Sequence, residues 1–333
     1  MKGTIICDLL GIKYPIIQAP MTWITSAELV AAVSEAGGLG TLGPNAGAVT
    51  PPSSVVEACA RLREQIRKVM SLTGKPFAVN LAIRAFDLPG SSKNYSDEFL
   101  RVILDEKVPV VVTVGPSADL YTKPLKQAGI KVLHRALPVN VEAARRAENA
   151  GVDILIAVGV DGGGHSGLDA IPTLSLLPQI VDAVKIPVVA GGGIVDGRGA
   201  VAALALGAAG IFMGTRFIAC SESPAHPKAK QVLMDSIDDQ TVTVITASGV
   251  LRSHRNPFME HCLSLAAKGA TPMEMYLVER GAIKTGLLDG DVVNGNLTWG
   301  ASAGIIKSVK TARDIVHDIL KEADEVLKKL HTA

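Results

Sequence analysis

The stretch Pro187-Val188-Val189-Ala190-Gly191-Gly192-Gly193, followed by Gly210-Ile211-Phe212-Met213-Gly214-Thr215-Arg216, twice couples a short apolar run to a glycine turn. Each run reads as a strand buried on both faces, the habit of parallel sheets. Each turn can aim several backbone N–H groups at one phosphate, and glycine lets the backbone approach it closely. Upstream, the run Asp153–Val158 leads into Asp161-Gly162-Gly163-Gly164-His165-Ser166-Gly167, a glycine-rich loop with one histidine. Two phosphate-type turns beside one acid/base group describe an enzyme with a phosphorylated cofactor better than they describe a binding module.

Working outward, the same rhythm covers the first two-thirds of the chain. Strands are expected at Pro15–Gln18, Gly38–Leu42, Phe77–Asn80, Pro109–Val114, Lys131–His134, Asp153–Val158, Pro187–Ala190 and Gly210–Met213. Helical spacing lies between them, at Ala27–Glu35, Ser54–Met70, Asp97–Glu106, Ala118–Gln127, Val141–Asn149, Leu174–Val184 and Arg198–Leu206. Eight β-α units closing on themselves make an α/β fold of the (β/α)8 TIM-barrel type. An open doubly wound sheet is the alternative. Regular strand spacing and phosphate-type turns on the last two strands favour the barrel.

After Thr215 the rhythm changes. Pro224, Pro227, Pro257 and Pro272 punctuate helical pieces such as Pro272–Arg280, so residues 221–299 read as a smaller, mostly helical lid or substrate subdomain. Residues 1–220 plus 300–333 then form the cofactor-binding barrel. Thr311–Leu330 reads as a closing amphipathic helix with Ile315, Ile319, Ala323, Val326 and Leu330 on its apolar face.

Composition removes several function classes. With 333 residues, 48% hydrophobic, the chain can bury a large core. Lys+Arg (33) nearly balances Asp+Glu (32), and aromatic residues make up 4%, so neither nucleic acid nor an anionic membrane is an expected partner. Cys7, Cys59, Cys220 and Cys262 form no C-x-x-C pair, which fits inert thiols in a reducing cytoplasm. The N-terminal apolar run is interrupted by Asp8 and lacks a cleavage signature. The apolar stretch from Gly199 to Gly214 divides into a helix and a strand and does not read as a membrane span. No histidine has metal-ligand spacing, and no metal is expected. A homodimer is compatible with all of this.

At the expected barrel mouth His165 is the candidate proton carrier, because histidine exchanges protons near neutral pH. The triplet Gly191-Gly192-Gly193, with Gly214 and Thr215, is the candidate phosphate cradle, Thr215 adding a hydroxyl donor. Gln18-Ala19-Pro20-Met21-Thr22 gives a stiff turn with a soft side chain for a flat ring. Asn80 ends the third strand, where a carboxamide can donate and accept. His134 and Arg135 end the fifth, placing a cation either toward the cofactor or in the barrel wall. No G-x-S-x-G, Walker or G-x-G-x-x-G motif competes with this pattern.

The segments Pro15–Met21, Ala36–Gly40, Phe77–Leu81, Gly163–Gly167, Ala190–Gly199, Met213–Phe217 and Ser302-Ala303-Gly304 together resemble the FMN-dependent nitronate monooxygenases (2-nitropropane dioxygenases), over nearly the whole chain. That superfamily also holds FMN-dependent enoyl-ACP reductases and NADH:quinone reductases. The resemblance implies FMN, with its phosphate on Gly192, Gly193, Gly214 and Thr215, and with Ala19, Pro20, Met21, Asn80, Arg135, Asp161, Gly164 and Gly191 around it. It implies His165 as catalytic base or substrate-orienting group.

Two departures stand out. Many relatives carry Glu where Asp161 stands, four residues before the histidine, and the shorter carboxylate differs from the cation-using enoyl reductases. Many also read Gly-Gln-Ser-Ala-Gly where this chain has Trp299-Gly300-Ala301-Ser302-Ala303-Gly304, which puts Trp299 and Ser302 in the substrate pocket. The implied activity is oxidation of alkyl nitronates with O2. The alternative is NAD(P)H-driven reduction of an activated C=C or a quinone, toward which Arg255-Asn256-Pro257-Phe258 and the helix from Met273 lean. A flavin sensor or a sugar-phosphate-binding barrel is the non-catalytic alternative.

Overall fold

The computed structural model describes residues 3–83, 95–238 and 240–332. Eight parallel strands form its centre: β1 (Ile16–Gln18), β2 (Gly40–Leu42), β3 (Phe77–Ala82), β4 (Val110–Gly115), β5 (Lys131–Ala136), β6 (Ile154–Val158), then, beyond the short β7 (Gly164–Ser166), β8 (Val188–Gly191) and β9 (Gly210–Met213). β9 pairs with β1 at Ile16↔Ile211, and a parallel bridge Ile17↔Leu39 joins β1 to β2, so the sheet closes on itself as a TIM barrel. Gln18 reinforces that seam: its Oε1 accepts from the Thr41 N–H at 2.9 Å.

Alternation along the strands sorts side chains between two cores. Ile17, Ala78, Val110, Val112, Leu133, Ile154, Ile156, Val189 and Phe212 face inward. Ile16, Val79, Val111, Val132, Leu155, Val188 and Ile211 face the helices. The N-terminal end is plugged by helix Ile5–Leu10, whose Ile6, Cys7 and Leu10 join the inner core. Periodicity alone assigns no element to that apolar run at the N-terminus; burial against the barrel floor makes it a helix.

The outer helices start at side-chain caps. Ser26, Ser54, Asn140 and Asp196 accept from the Leu29, Glu57, Ala143 and Gly199 N–H groups. The helix directly after β9 is short, Thr215–Ile218. Helix Ala312–Thr332 returns instead to pack on helices Gly197–Ala205 and Ala27–Glu35, completing the outer layer. Its apolar stripe is buried at Ile315, Ile319 and Ala323, whereas Leu330, expected on the same face, is 63% exposed. The helix there runs past the edge of the barrel.

The segment between these helices contains Pro227–Asp235, Pro257–Ala267 and Pro272–Glu279, each with proline in its first turn, in line with the proline punctuation of the sequence. It also contains a hairpin that the helical expectation missed, β10 (Thr241–Thr246) and β11 (Gly249–His254). β11 pairs in turn with β7, opposing Leu251 to His165. The histidine expected on a loop therefore lies on a strand. Among the described residues no helix is long and apolar enough to cross a membrane.

Candidate functional site

The floor is plugged, so the opening lies at the C-terminal strand ends. Inward alternation carries Asn80 on from Ala78 and Arg135 on from Leu133 into this mouth. Asn80 Nδ2 donates to the Val112 carbonyl at 3.0 Å. Arg135 Nη2 donates to the His165 carbonyl at 2.6 Å. Burial pushes the guanidinium down to about 10, and its Nε is enclosed with no hydrogen-bond partner. It forms no ion pair with any described residue, so a cation stands in the mouth without a counter-charge.

His134, the next residue back, turns the other way. It is 1% exposed, and its Nδ1 lies 2.9 Å from Thr113 Oγ1. Burial lowers it to about 4, so it is neutral at physiological pH and belongs to the wall. Of the two cations considered for this strand end, Arg135 is the one that faces the mouth.

Around the late glycine turns, Gly192 (φ 90°) and Gly193 (φ 74°) adopt left-handed backbone. A Cβ on Gly192 would lie 2.8 Å from Thr173 Oγ1 and 2.9 Å from the Gly159 carbonyl. Thr173 Oγ1 is within 3.1 Å of the Gly191 and Gly192 carbonyls. Among the described residues the N–H groups of Gly192, Gly193, Gly214 and Thr215 donate to no loop or turn carbonyl. The next helix, Gly197–Ala205, has its own first turn taken: Asp196 accepts from Gly199, and Glu322 accepts from Gly197. Free donors therefore sit in the glycine turns themselves.

Gly214 has ordinary φ, and the atoms nearest to a methyl added there, Met21 Sδ and Ala19 Cβ, would lie at 3.6 and 3.7 Å. Protein packing does not demand glycine at this position. Met21 is held by Thr25, whose Oγ1 contacts both its N and its O at 2.9 Å. Pro20 lies between Ala19 and Met21 in the same turn. Thr215 Oγ1 accepts from the Gly300 N–H at 3.1 Å, leaving its own proton available.

Asp161 lies against Gly193, whose added Cβ would be 3.4 Å from the Asp161 Cβ. Its Oδ2 accepts from the Thr173 N–H at 2.6 Å and its carbonyl from Ala301 at 2.9 Å. The carboxylate thus holds the start of helix Thr173–Ala183, a structural duty that the sequence does not indicate. Gly163 is pressed against the Trp299 backbone, and Gly164 (φ 80°) faces Thr298 Cγ2.

Trp299 itself is 1% exposed and stacks obliquely on His254 with ring centroids 5.0 Å apart. Its indole lies in an apolar cluster with Trp23, Ile218, Leu287 and Leu297, and its Nε1 is buried without a hydrogen-bond partner among the described residues. Ser302 is half-buried in the 3-10 turn Ala301–Ile305.

His165 is 24% exposed at its side chain, and its Nε2 lies 3.2 Å from Glu279 Oε1. Glu279 ends helix Pro272–Glu279 and is 8% exposed. It also lies near enough to Cys262 to help burial push that thiol up to about 11. Sequence reasoning missed Glu279, because nothing local in Leu277-Val278-Glu279-Arg280 marks it. The arrangement joins a partly open imidazole, a buried carboxylate on its Nε2, a half-buried cation on its backbone carbonyl, and glycine-turn N–H groups that make no backbone hydrogen bond among the described residues. It can carry a proton beside a bound anion.

The sequence profile described as nitronate monooxygenase matches residues 4–322. A Staphylococcus saprophyticus protein named "probable nitronate monooxygenase" is 32% identical, the alignment covering 98% of this chain and 99% of that one. Among solved structures, FabK from Thermotoga maritima is 36% identical with a TM-score of 0.88, covering 100% of this chain and 99% of that one. The nitroalkane oxidase from Streptomyces ansochromogenes is 30% identical with a TM-score of 0.82, covering 98% and 99%.

Proposed function

The chain belongs to the nitronate monooxygenase family and is an oxidoreductase; from that premise we propose that it oxidises alkyl nitronates with O2, using FMN at the barrel mouth. What supports this reading is that Arg135, a cation without a counter-charge among the described residues, donates to the His165 carbonyl, while the N–H groups of the glycine turns make no backbone hydrogen bond there. The residues fit the cofactor. Gly192, Gly193, Gly214 and Thr215 would hold its phosphate, and a Cβ at Gly214, though tolerated by the protein's own packing, would stand between the turn's N–H groups and that phosphate. Ala19, Pro20, Met21, Asn80, Arg135, Gly164 and Gly191 would surround the remainder, with Asp161 bracing the turn behind Gly193. When bound, FMN supplies the redox chemistry.

The chain's own part is acid/base and positional. His165 takes the α-proton of a neutral nitroalkane, or orients the nitronate where the anion is supplied. Arg135 offsets negative charge in the mouth and fixes the His165 strand through its carbonyl. Residues 221–299 cover the substrate side, with Ser302 at its edge. Four free cysteines suit a cytoplasmic setting. The likeness to FabK favours a second reading, reduction of an activated C=C with NAD(P)H as electron donor.

Two measurements test these readings. The purified protein should be yellow and release FMN on denaturation; FAD as the main flavin would overturn the single-phosphate cradle. Mixed anaerobically, the nitronate should bleach the flavin absorbance. Bleaching by NADH or NADPH alone would transfer the assignment to the second reading. His165→Asn should keep FMN and lose turnover of neutral nitroalkane by about 10²–10⁴-fold, with a much smaller loss on preformed nitronate. Equal loss on both would make His165 an orienting group.

A further inference from the structure

We propose that Glu279 is a positioning residue for His165, fixing the imidazole with its proton on Nε2 so that Nδ1 carries the lone pair that takes the substrate proton. This rests on the base role given to His165 above.

Three observations support it. Glu279 Oε1 stands 3.2 Å from His165 Nε2, and no other polar partner of that carboxylate is found among the described residues. With Glu279 only 8% exposed, an ionised carboxylate is satisfied when Nε2 donates to it, whereas a lone pair on Nε2 would oppose it. The remaining ring atom, Nδ1, makes no hydrogen bond with any described residue, and the side chain is 24% exposed. It is the atom left for a substrate.

The backbone beneath the ring is already fixed, by pairing with Leu251 and by Arg135 on the His165 carbonyl. Rotation of the ring is the freedom that Glu279 removes. The two residues are 114 positions apart, so a carboxylate ending helix Pro272–Glu279 defines the tautomer of a histidine on β7. In the step itself the substrate C–H bond breaks and its electron pair enters the C=N bond of the nitronate. Nδ1 then holds the proton, and the carboxylate, still ionised, offsets the imidazolium charge.

The test is a double-mutant cycle on the FMN-loaded protein with a spectroscopic arm. Glu279→Ala should lower kcat on neutral nitroalkane about 10- to 100-fold, with KM, FMN content and preformed-nitronate oxidation nearly unchanged. Glu279→Gln keeps an acceptor for Nε2–H and should lose less; being isosteric, it also serves if the alanine variant folds poorly. In a His165→Asn background neither change should cost more, because Glu279 acts through His165.

The chain has 7 histidines, so the His165 signals are assigned by their loss in His165→Asn. Imidazole ¹⁵N shifts should report one tautomer, protonated at Nε2, in the parent protein, and a mixture in Glu279→Ala. Unchanged turnover, an additive loss in the double variant, or an unchanged ¹⁵N pattern would each overturn the proposal. Full turnover by His165→Asn alone would instead remove the base role, and the role of Glu279 with it.

Discussion

Gly210 and Gly214 stand at opposite ends of β9, and their surroundings differ in kind. A side chain at Gly210 would collide with Ile6 of the floor helix and lie 2.8 Å from the Pro15 carbonyl. At Gly214 the nearest protein atom is 3.6 Å away. The same contrast runs through the two ends of the barrel. The floor is apolar and filled, whereas the mouth keeps, among the described residues, N–H groups without backbone partners, a guanidinium without a counter-charge and a partly exposed histidine. Glycine at 210 serves packing, and so does Gly192 at the mouth, whereas a methyl at Gly214 would meet only ordinary van der Waals neighbours. Packing is completed at one end of these strands, and at the other polar groups are left without protein partners among the described residues.

The strongest test of this division is Arg135. A half-buried cation whose Nε is enclosed and which has no counter-charge among the described residues costs stability in the free protein and should favour a bound anion. Arg135→Met should weaken FMN about 100-fold, from the loss of a charged donor. It should also leave the FMN-free protein as stable as the parent, or about 1 kcal/mol more stable. Equilibrium dialysis and urea unfolding of the stripped protein measure the two effects. A variant that binds FMN normally would place the anion elsewhere. Thr215→Val, which loses a hydroxyl donor and the acceptor for Gly300, should cost about 10- to 150-fold in FMN affinity.

The glycine pair sharpens the contrast further. Gly210→Ala should destabilise the protein by about 1–3 kcal/mol through overpacking against fixed backbone. Gly214→Ala should change stability by less than about 0.5 kcal/mol while weakening FMN roughly tenfold. Equal destabilisation by both would erase the distinction between the two ends.

A pH-dependent effect concerns His134, the wall neighbour of Arg135. Burial holds it at about 4, against an ordinary value of 6.5. The unfolded chain therefore binds a proton that the native chain refuses as pH falls from 6.5 toward 4. The stability tied to this group is intact above pH 6.5 and declines by at most about 1.4 kcal/mol per unit through that window. His134→Gln should flatten this part of the acid stability curve. An unchanged slope in urea midpoints between pH 6.5 and 5 would show that another group governs it.

These features are unequally legible in the chain. The eight barrel strands can be read because each is a continuous apolar run bounded by turns, and helices such as Ala27–Glu35 and Val141–Asn149 because period and cap agree. The hairpin escapes that reading although Thr241-Val242-Thr243-Val244-Ile245-Thr246 is β-branched throughout and Gly249 ends a tight turn. Proline spacing around it points to helices alone. β7 cannot be read locally: three residues including a glycine become a strand only because β11 lies beside them. Asp161 and Trp299 are recognisable as neighbours of the site, but their hydrogen bonding and burial depend on segments far along the chain. Glu279 needs the fold itself, since its meaning is the histidine it meets.

That pairing of β7 with β11 also sets an order of assembly. During synthesis the ring of strands cannot close until β9 has emerged to meet β1, and domains begin to organise as their chain becomes available. At that moment His165 has been made but lacks the neighbour strand that fixes its backbone, which comes 86 positions later at Leu251. Glu279 follows, and helix Ala312–Thr332 closes the outer layer last. A nascent chain halted after β9 would carry all eight barrel strands with His165 still lacking both β11 and Glu279. The contacts that fix His165 are a late product of translation.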